Sequence, residues 1–503
     1  MTYTLNRDTV IAVIGAGSMG GGIAQLAAQA GHAVRLFDTQ PGAADRALRR
    51  IDDDLAGAVK RGRLDEVERG AVRARLAAVD TIEALAGCGL AVEAIVEKLE
   101  PKQSLFRQLE AVLGERAVLA TNTSSISISA VAQGLTQPQR LIGWHFFNPA
   151  TRMKLVEVIP GVETDPALVA ALHTLGKAWG KSSVDAPNAP GFIVNRVARP
   201  YYAEGLRLLA ERIASAQAID RLLREAGGFA LGPFELIDLI GIDVNLSVTE
   251  SVFAATGWDT RYAPNLIQQE LVRAGRFGRK SGRGFHDYRD GAKPPVADTV
   301  APAEAAPPLV AASDAGLLAP LLDRLRGSGV AIAPDATLEA ETLRLGELRV
   351  ALSDGRTCAE RSAAFGRPML LLDLARDFAT TPVLGATGSP EHLAMLAAAL
   401  QPAGIAVIAL ADVAGLVLTR VVACLANEAA DVTTWTTTTP ADIDIAMRLG
   451  TAYPIGPLAW ADALGPTRLV TVLTHLQTHY GDARYRRAPQ LLAKHFAKSK
   501  FHE

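Results

Sequence analysis

His145 closes an apolar run, LIGWH, and Glu157 stands twelve residues further on within LVEVI. Ser124 lies upstream of both, the first serine of TNTSS, so a hydroxyl, an imidazole and a carboxylate come from one stretch of chain. A histidine beside a buried carboxylate gains basicity and a fixed tautomer, which suits taking a proton from an alcohol. A lone histidine at a strand end is more often structural. The accompanying polar residues, next to the nucleotide motif described below, put chemistry on an equal footing.

The second group is the glycine set Gly15, Gly17 and Gly20 in VIAVIGAGSMGGG, a GxGxxG spacing after an apolar strand and at the start of a helix. In that context Gly15 serves a tight turn, Gly17 lets the backbone approach a pyrophosphate, and Gly20 allows close helix–strand packing. Asp38 comes eighteen residues after Gly20, at the end of the next strand, where it can accept from adenosine ribose hydroxyls. A carboxylate there repels a 2′-phosphate, so the expected cofactor is NAD. Arg35, two positions back, is expected to face away or to be a surface charge. No metal is expected: Cys88, Cys358 and Cys424 are widely spaced and no ligand cluster appears.

The elements that must carry these residues alternate. Val10–Ile14, Ala33–Asp38, Leu90–Glu93, Ala117–Thr121 and Arg140–His145 read as buried parallel strands, and Gly20–Ala30, Ala43–Lys60 and Lys102–Leu113 as helices. From Pro190 the pattern turns helical. A fixed offset of 224 then pairs Gly191 with Gly415, Arg196 with Arg420, Asp220 with Asp444, Gly232-Pro233 with Gly456-Pro457, and Asp238 with Asp462. The expected fold is an α/β Rossmann-like doubly wound sheet followed by duplicated all-α domains. Residues 1–188 would form the dinucleotide-binding domain and 189–290 the first helical copy. An Ala/Pro-rich linker would span 291–308, a small α/β segment 309–408, and the second helical copy 409–503.

A chain of 503 residues with a net charge of −2 has no global basic field, so nucleic acid and anionic membranes are not expected partners. No apolar stretch reaches the length of a membrane span, the N-terminus does not read as a secretory signal, and a cytoplasmic enzyme is expected.

The runs TNTSS, GWHFFNP, MKLVEVI, PGFIVNR, LGPFELIDLIG and KSGRGFHDY resemble, in order across 9–288, those of L-3-hydroxyacyl-CoA dehydrogenases. The added repeat resembles the longer bacterial members associated with phenylacetate degradation. The resemblance implies NAD-dependent oxidation of a 3-hydroxyacyl-CoA, with His145 as general base and Glu157 orienting it. Ser124 and Asn195 would meet the substrate's oxygen functions, and Asn122 and Asn148 would line the nicotinamide side. Ala94, Glu97 and Lys102 would contact the cofactor. The 41–76 excursion would be a CoA-contacting hairpin, with Lys60 and Arg61 as phosphate partners. A 6-phosphogluconate or 3-hydroxyisobutyrate type of dehydrogenase would need a lysine where Asn195 and Arg196 stand. A crystallin-like structural relative would not need Ser124, His145, Glu157 and Asn195 together. Position 419, the repeat of Asn195, is threonine, so the second copy is expected to be non-catalytic and to make the chain its own pseudo-dimer.

Overall fold

The computed structural model describes residues 3–292 and 296–503; the expected linker therefore falls partly outside the described residues, as do the first two residues of the N-terminal reading. The chain forms two compact units, 1–196 with 436–451, and 197–435 with 452–503.

In the first unit the strands β1 (Ile11–Ile14), β2 (Val34–Phe37), β3 (Leu76–Val79), β4 (Leu90–Glu93), β5 (Val118–Thr121), β6 (Leu141–Phe146), β7 (Leu155–Pro160) and β8 (Ser182–Asp185) make one sheet. Its order is β3-β2-β1-β4-β5-β6-β7-β8. All neighbours are parallel except β6 and β7. The helices are α1 (Ser18–Gln29), α2 (Ala43–Lys60), α3 (Glu66–Ala74), α4 (Leu99–Val112), α5 (Ile128–Ala132), α6 (Pro166–Ala178) and α7 (Val194–Val197). Central strands such as IAVI are buried throughout, as covering both sheet faces requires. The edge strands β3 (LAAV) and β8 (SSVD) are only partly buried and lie outside the expected strands, β3 being short and alanine-rich and β8 mostly polar. Trp144, Phe146 and Trp179 cluster in the core, the two indoles 4.9 Å apart. Helix α2 buries Ala44, Ala47, Ile51 and Leu55 at spacings of three and four, and full burial of Ile51 or Leu55 contributes about 2 kcal/mol. A capping box of Asp65 and Glu68 starts α3 and closes the hairpin.

In the second unit β9 (Leu309–Ala312), β10 (Ile332–Asp335), β11 (Thr342–Leu345), β12 (Leu348–Leu352), β13 (Met369–Leu372), β14 (Val383–Thr387) and β15 (Ala406–Ala409) form a mixed sheet, ordered β10-β9-β11-β12-β13-β14-β15. From β12 onward its parallel, antiparallel and parallel pairings repeat those of β5 to β8. The segment read as a small α/β piece thus repeats the last four strands of the first sheet.

The remaining helices are α8 (Arg199–Ala210), α9 (Ala216–Arg221), α10 (Pro233–Ile240), α11 (Ile242–Ala255), α12 (Leu266–Arg273), α13 (Ala319–Gly327), α14 (Cys358–Phe365) and α15 (Pro390–Leu400). They are followed by α16 (Leu418–Trp435), α17 (Pro440–Thr451), α18 (Pro457–Leu464), α19 (Pro466–Tyr480) and α20 (Pro489–Ala497). The repeat extends to the backbone: Gly191-Phe192 and Gly415-Leu416 both take positive φ, and Gly241 and Gly465 do so between α10 and α11 and between α18 and α19. Within the second unit α8 packs along α16. Tyr262 Oη donates to Glu428 at 2.5 Å, and Tyr485 Oη to Glu204 at 3.2 Å. These pairs exchange under the repeat, since 428 − 204 = 224 and 485 − 262 = 223. Arg420 also reaches Glu204 at 2.7 Å. Burial alone would raise the Glu204 carboxyl, but Arg207 and Arg420 outweigh it and hold it down at about 2. Helix α17 belongs to the first unit, where it lies against β7 and β8.

Candidate active site

The antiparallel pairing of β6 and β7 sets His145 directly opposite Glu157. Directly opposed residues share a face of the sheet, so a separation of twelve in sequence becomes a contact. His145 Nδ1 lies 2.7 Å from Glu157 Oε2, with the two side chains 7% and 1% exposed. The other oxygen, Oε1, accepts from the backbone N–H groups of Ile193 and Val194, each at 3.1 Å. Asn195 is the next residue, so the carboxylate that meets the imidazole also fixes the backbone leading into Asn195. Phe147 and Phe192 flank the imidazole, at ring centroids 4.5 and 5.8 Å away. With Nδ1 engaged, Nε2 is the nitrogen left for chemistry.

A second network starts at Glu93, which ends β4 with no exposure. Its carboxylate accepts from Ile95 N at 2.7 Å, Lys102 Nζ at 2.6 Å and Thr121 Oγ1 at 2.6 Å. Lys102 is 3.2 Å from Glu97, and Glu97 Oε1 takes Ser124 N at 2.7 Å, Ser124 Oγ at 3.1 Å and Thr123 Oγ1 at 2.7 Å. Burial would raise the Glu97 carboxyl, but Lys102 and these hydrogen bonds hold it below the usual range. Lys102 was expected to contact the cofactor. It is buried between two carboxylates, 1% exposed, as an ammonium without exposed surface must be paired internally.

The glycine loop opens a cavity of about 710 Å³, lined by Gly15, Gly17, Asp38 and Ala94 among others. Gly15 has φ +104°, and a Cβ there would meet the Ala94 carbonyl oxygen at 2.4 Å; a Cβ on Gly20 would overlap the Gly15 carbonyl oxygen at 1.8 Å. Both positions therefore need glycine, whereas a Cβ on Gly17 meets no protein atom within 4 Å and would point into open space. Asp38 Oδ2 accepts from Ala16 N at 2.7 Å and Oδ1 from Gln40 N at 2.9 Å. The cavity, the loop amides and this carboxylate fit an adenine dinucleotide. Arg35 turns away, its guanidinium donating to the carbonyls of Ala84 and Ala86 at 2.8 Å each.

Asn122 Oδ1 accepts from Phe146 N at 2.8 Å, tying the end of β5 to β6. Ser18 Oγ lies 3.5 Å from Asn148 Oδ1, across from the glycine loop. Lys60 and Arg61 are exposed at the C-terminal end of α2 and do not line the cavity. Arg46 and Arg50 of the same helix do line it, and Arg50 donates to Ala16 O at 2.8 Å. Glu93, Arg46 and Arg50 were missed in the sequence. The available signals were an acid ending an apolar strand and two arginines one helical turn apart.

Residues 10–189 match the family described as 3-hydroxyacyl-CoA dehydrogenase, NAD binding domain. Residues 191–288 and 415–503 each match its C-terminal domain. Residues 350–413 match a 3-hydroxybutyryl-CoA dehydrogenase reduced Rossmann-fold domain. The chain is 42% identical to the 3-hydroxyadipyl-CoA dehydrogenase of Escherichia coli (strain K12) over 482 residues, 96% of each chain. The crystal structure of a 3-hydroxybutyryl-CoA dehydrogenase from Escherichia coli K12 superposes with a TM-score of 0.89 at 39% identity, covering 98% of this chain and 99% of that one. The (S)-3-hydroxybutyryl-CoA dehydrogenase of Ralstonia eutropha matches 56% of this chain and 100% of its own, at 34% identity and a TM-score of 0.55.

Proposed function

The chain belongs to the 3-hydroxyacyl-CoA dehydrogenase family, and from this we propose how its residues divide the work of the reaction. It is an NAD-dependent oxidoreductase that converts (3S)-3-hydroxyacyl-CoA to 3-oxoacyl-CoA. In our reading His145 is the base, and the 2.7 Å contact of Nδ1 with Glu157 carries that assignment. Nδ1–H donates to the carboxylate, which leaves the Nε2 lone pair to take the C3 hydroxyl proton. Bound NAD supplies the hydride acceptor. Ser124 and Asn195 hold the substrate oxygen while its charge changes.

Gly15, Gly17, Gly20 and Asp38 hold the adenosine and pyrophosphate half of the cofactor, with Ala94, Glu97 and Lys102 further along the crevice. Asn122 and Asn148 face the nicotinamide side, and Lys60 and Arg61 are assigned to the CoA phosphates. The names of the Escherichia coli relatives support 3-hydroxyadipyl-CoA and 3-hydroxybutyryl-CoA as the acyl candidates. The placement is cytoplasmic: among the described residues no helix is long and apolar enough to cross a membrane, and the three cysteines are unpaired, as a reducing compartment favours.

The second helical copy, with Thr419 in place of asparagine, is read as non-catalytic. It pairs with the first copy as a dimer partner would, a reading supported by the exchange of Tyr262–Glu428 for Tyr485–Glu204, an isologous pattern inside one chain.

The test is steady-state reduction of acetoacetyl-CoA by NADH. His145→Gln should lower kcat by about 10²–10⁴, the usual share of general acid–base catalysis, with NADH binding retained. Near-normal turnover in that variant would overturn the assignment.

A further inference from the structure

Helix α17 is part of the second helical copy, yet it packs on β7 and β8, the strands that carry Glu157 and its neighbour. Its inward face is Ile443, Ala446 and Met447, all fully buried. Gly450 is the last residue but one of the helix and has no positive φ. Any residue can adopt that backbone conformation, so the backbone does not itself call for glycine there. The reason is distance. A Cβ on Gly450 would lie 2.9 Å from Leu155 Cδ2 and 3.0 Å from Val194 Cγ2.

Both neighbours bear on the same carboxylate. Leu155 is two residues before Glu157 on β7, and Val194 N donates to Glu157 Oε1 at 3.1 Å. The second unit has a related contact, but its carboxylate follows β13, the counterpart of the strand that carries His145. There Asp373 accepts from Val417 N at 3.0 Å, Leu418 N at 2.7 Å and Thr419 N at 2.9 Å, residues 224 after Ile193, Val194 and Asn195. A helix of the first copy presses on that loop, since a Cβ on Gly227 would meet Leu418 Cδ1 at 2.9 Å. Each of these two loops is thus backed by a glycine from the other helical copy, and in the first unit the carboxylate that the loop holds also meets a histidine.

We propose that Gly450 of α17 is a positioning residue for proton transfer, setting the Ile193–Val194 backbone that fixes Glu157 against His145. The second helical copy then supplies a part of the working site without touching substrate. This rests on the reading of His145 and Glu157 as the proton-transfer pair.

The experiment uses the full chain with Gly450→Ala, Gly450→Val, Glu157→Gln and the double variant Gly450→Val/Glu157→Gln, assayed with acetoacetyl-CoA and NADH. Gly450→Val should lower kcat at least about tenfold and Gly450→Ala about threefold, with KM and NADH affinity within about twofold; tenfold corresponds to about 1.4 kcal/mol of lost transition-state stabilisation. In the Glu157→Gln background the valine should cost less than about twofold further, because the path through the carboxylate is already lost. Wild-type kcat in a folded Gly450→Val, or factors that simply multiply in the double variant, would overturn the proposal. If the valine variant does not fold, Gly450→Ala is taken through the same cycle and decides it. Full activity in Glu157→Gln alone would instead remove the reading beneath it, so the two failures are told apart.

Discussion

Glu157→Gln is the sharpest perturbation the site offers, because the carboxylate is surrounded by donors and the amide keeps only one oxygen. Oε1 receives two backbone N–H groups and Oε2 receives His145 Nδ1–H, in a setting 1% exposed. The glutamine can sit in two ways. With its NH₂ toward Ile193 and Val194, two buried backbone donors face further donors, at a cost of about 1–3 kcal/mol each. With its oxygen there instead, the NH₂ faces Nδ1, and the imidazole relieves the clash by moving its proton to Nε2. Exchange between neutral tautomers is the cheaper route, so the second arrangement wins. His145 then presents an N–H at Nε2 where a lone pair is needed. We expect kcat to fall about 10²–10⁴-fold, the range for a lost general base, while folding stability changes by less than about 2 kcal/mol. NADH formation from NAD and (3S)-3-hydroxybutyryl-CoA, the direction in which His145 takes the proton, gives kcat, fluorescence titration gives NADH affinity, and urea unfolding gives stability. A glutamine variant within about fivefold of wild-type kcat would refute the tautomer argument.

Asp38→Ala should cut kcat/KM with NADH by at least about tenfold and with NADPH by less, since the ribose partner goes and the repulsion of a 2′-phosphate goes with it; equal use of NADPH by the wild type would contradict this. Lys181 donates to the carbonyls of Ala150 and Met153, and burial lowers its ammonium to about 8 from the ordinary 10.5. Between those values the unfolded chain binds the extra proton, so stability should rise with pH across about 8 to 10.5, by at most about 3 kcal/mol. Urea titrations of wild type against Lys181→Met should show the gap moving in the wild type's favour over that window, and a gap independent of pH would count against it. A fragment ending at Tyr288 lacks Glu428, the partner of Tyr262 and Arg261, and lacks Arg420, the partner of Glu204. It should dimerise or lose solubility in sedimentation, and a fully active monomer would show that the second copy serves another purpose.

The parts legible in the sequence were those with a local physical signature. The glycine spacing after IAVI announced a loop that only glycine fits, and the Gly15 and Gly20 contacts give the reason. Apolar runs marked the central strands because both faces are covered, whereas the edge strands were not marked, β3 being short, alanine-rich and only partly buried and β8 mostly polar. The 224 offset marked the helical duplication because capping glycines and buried acids recur with the turns they serve. That residues 350–413 repeat the last four strands of the first sheet was invisible, since pairing sense leaves no residue pattern comparable to a glycine loop.

By itself the sequence determined which chemical groups are present: an imidazole, a carboxylate, a hydroxyl and a glycine loop with a ribose-binding acid. Tertiary structure decided which of them meet. The antiparallel turn between β6 and β7 makes His145 and Glu157 a pair, and packing sets Lys102 between Glu93 and Glu97. Packing also brings α17 of the second copy onto β7, nearly three hundred residues away in the chain. Periodicity reports only that a face is buried. What buries it is settled when distant segments compete for the same apolar surface, and the winner is the one whose shape, here a glycine, allows the closest approach.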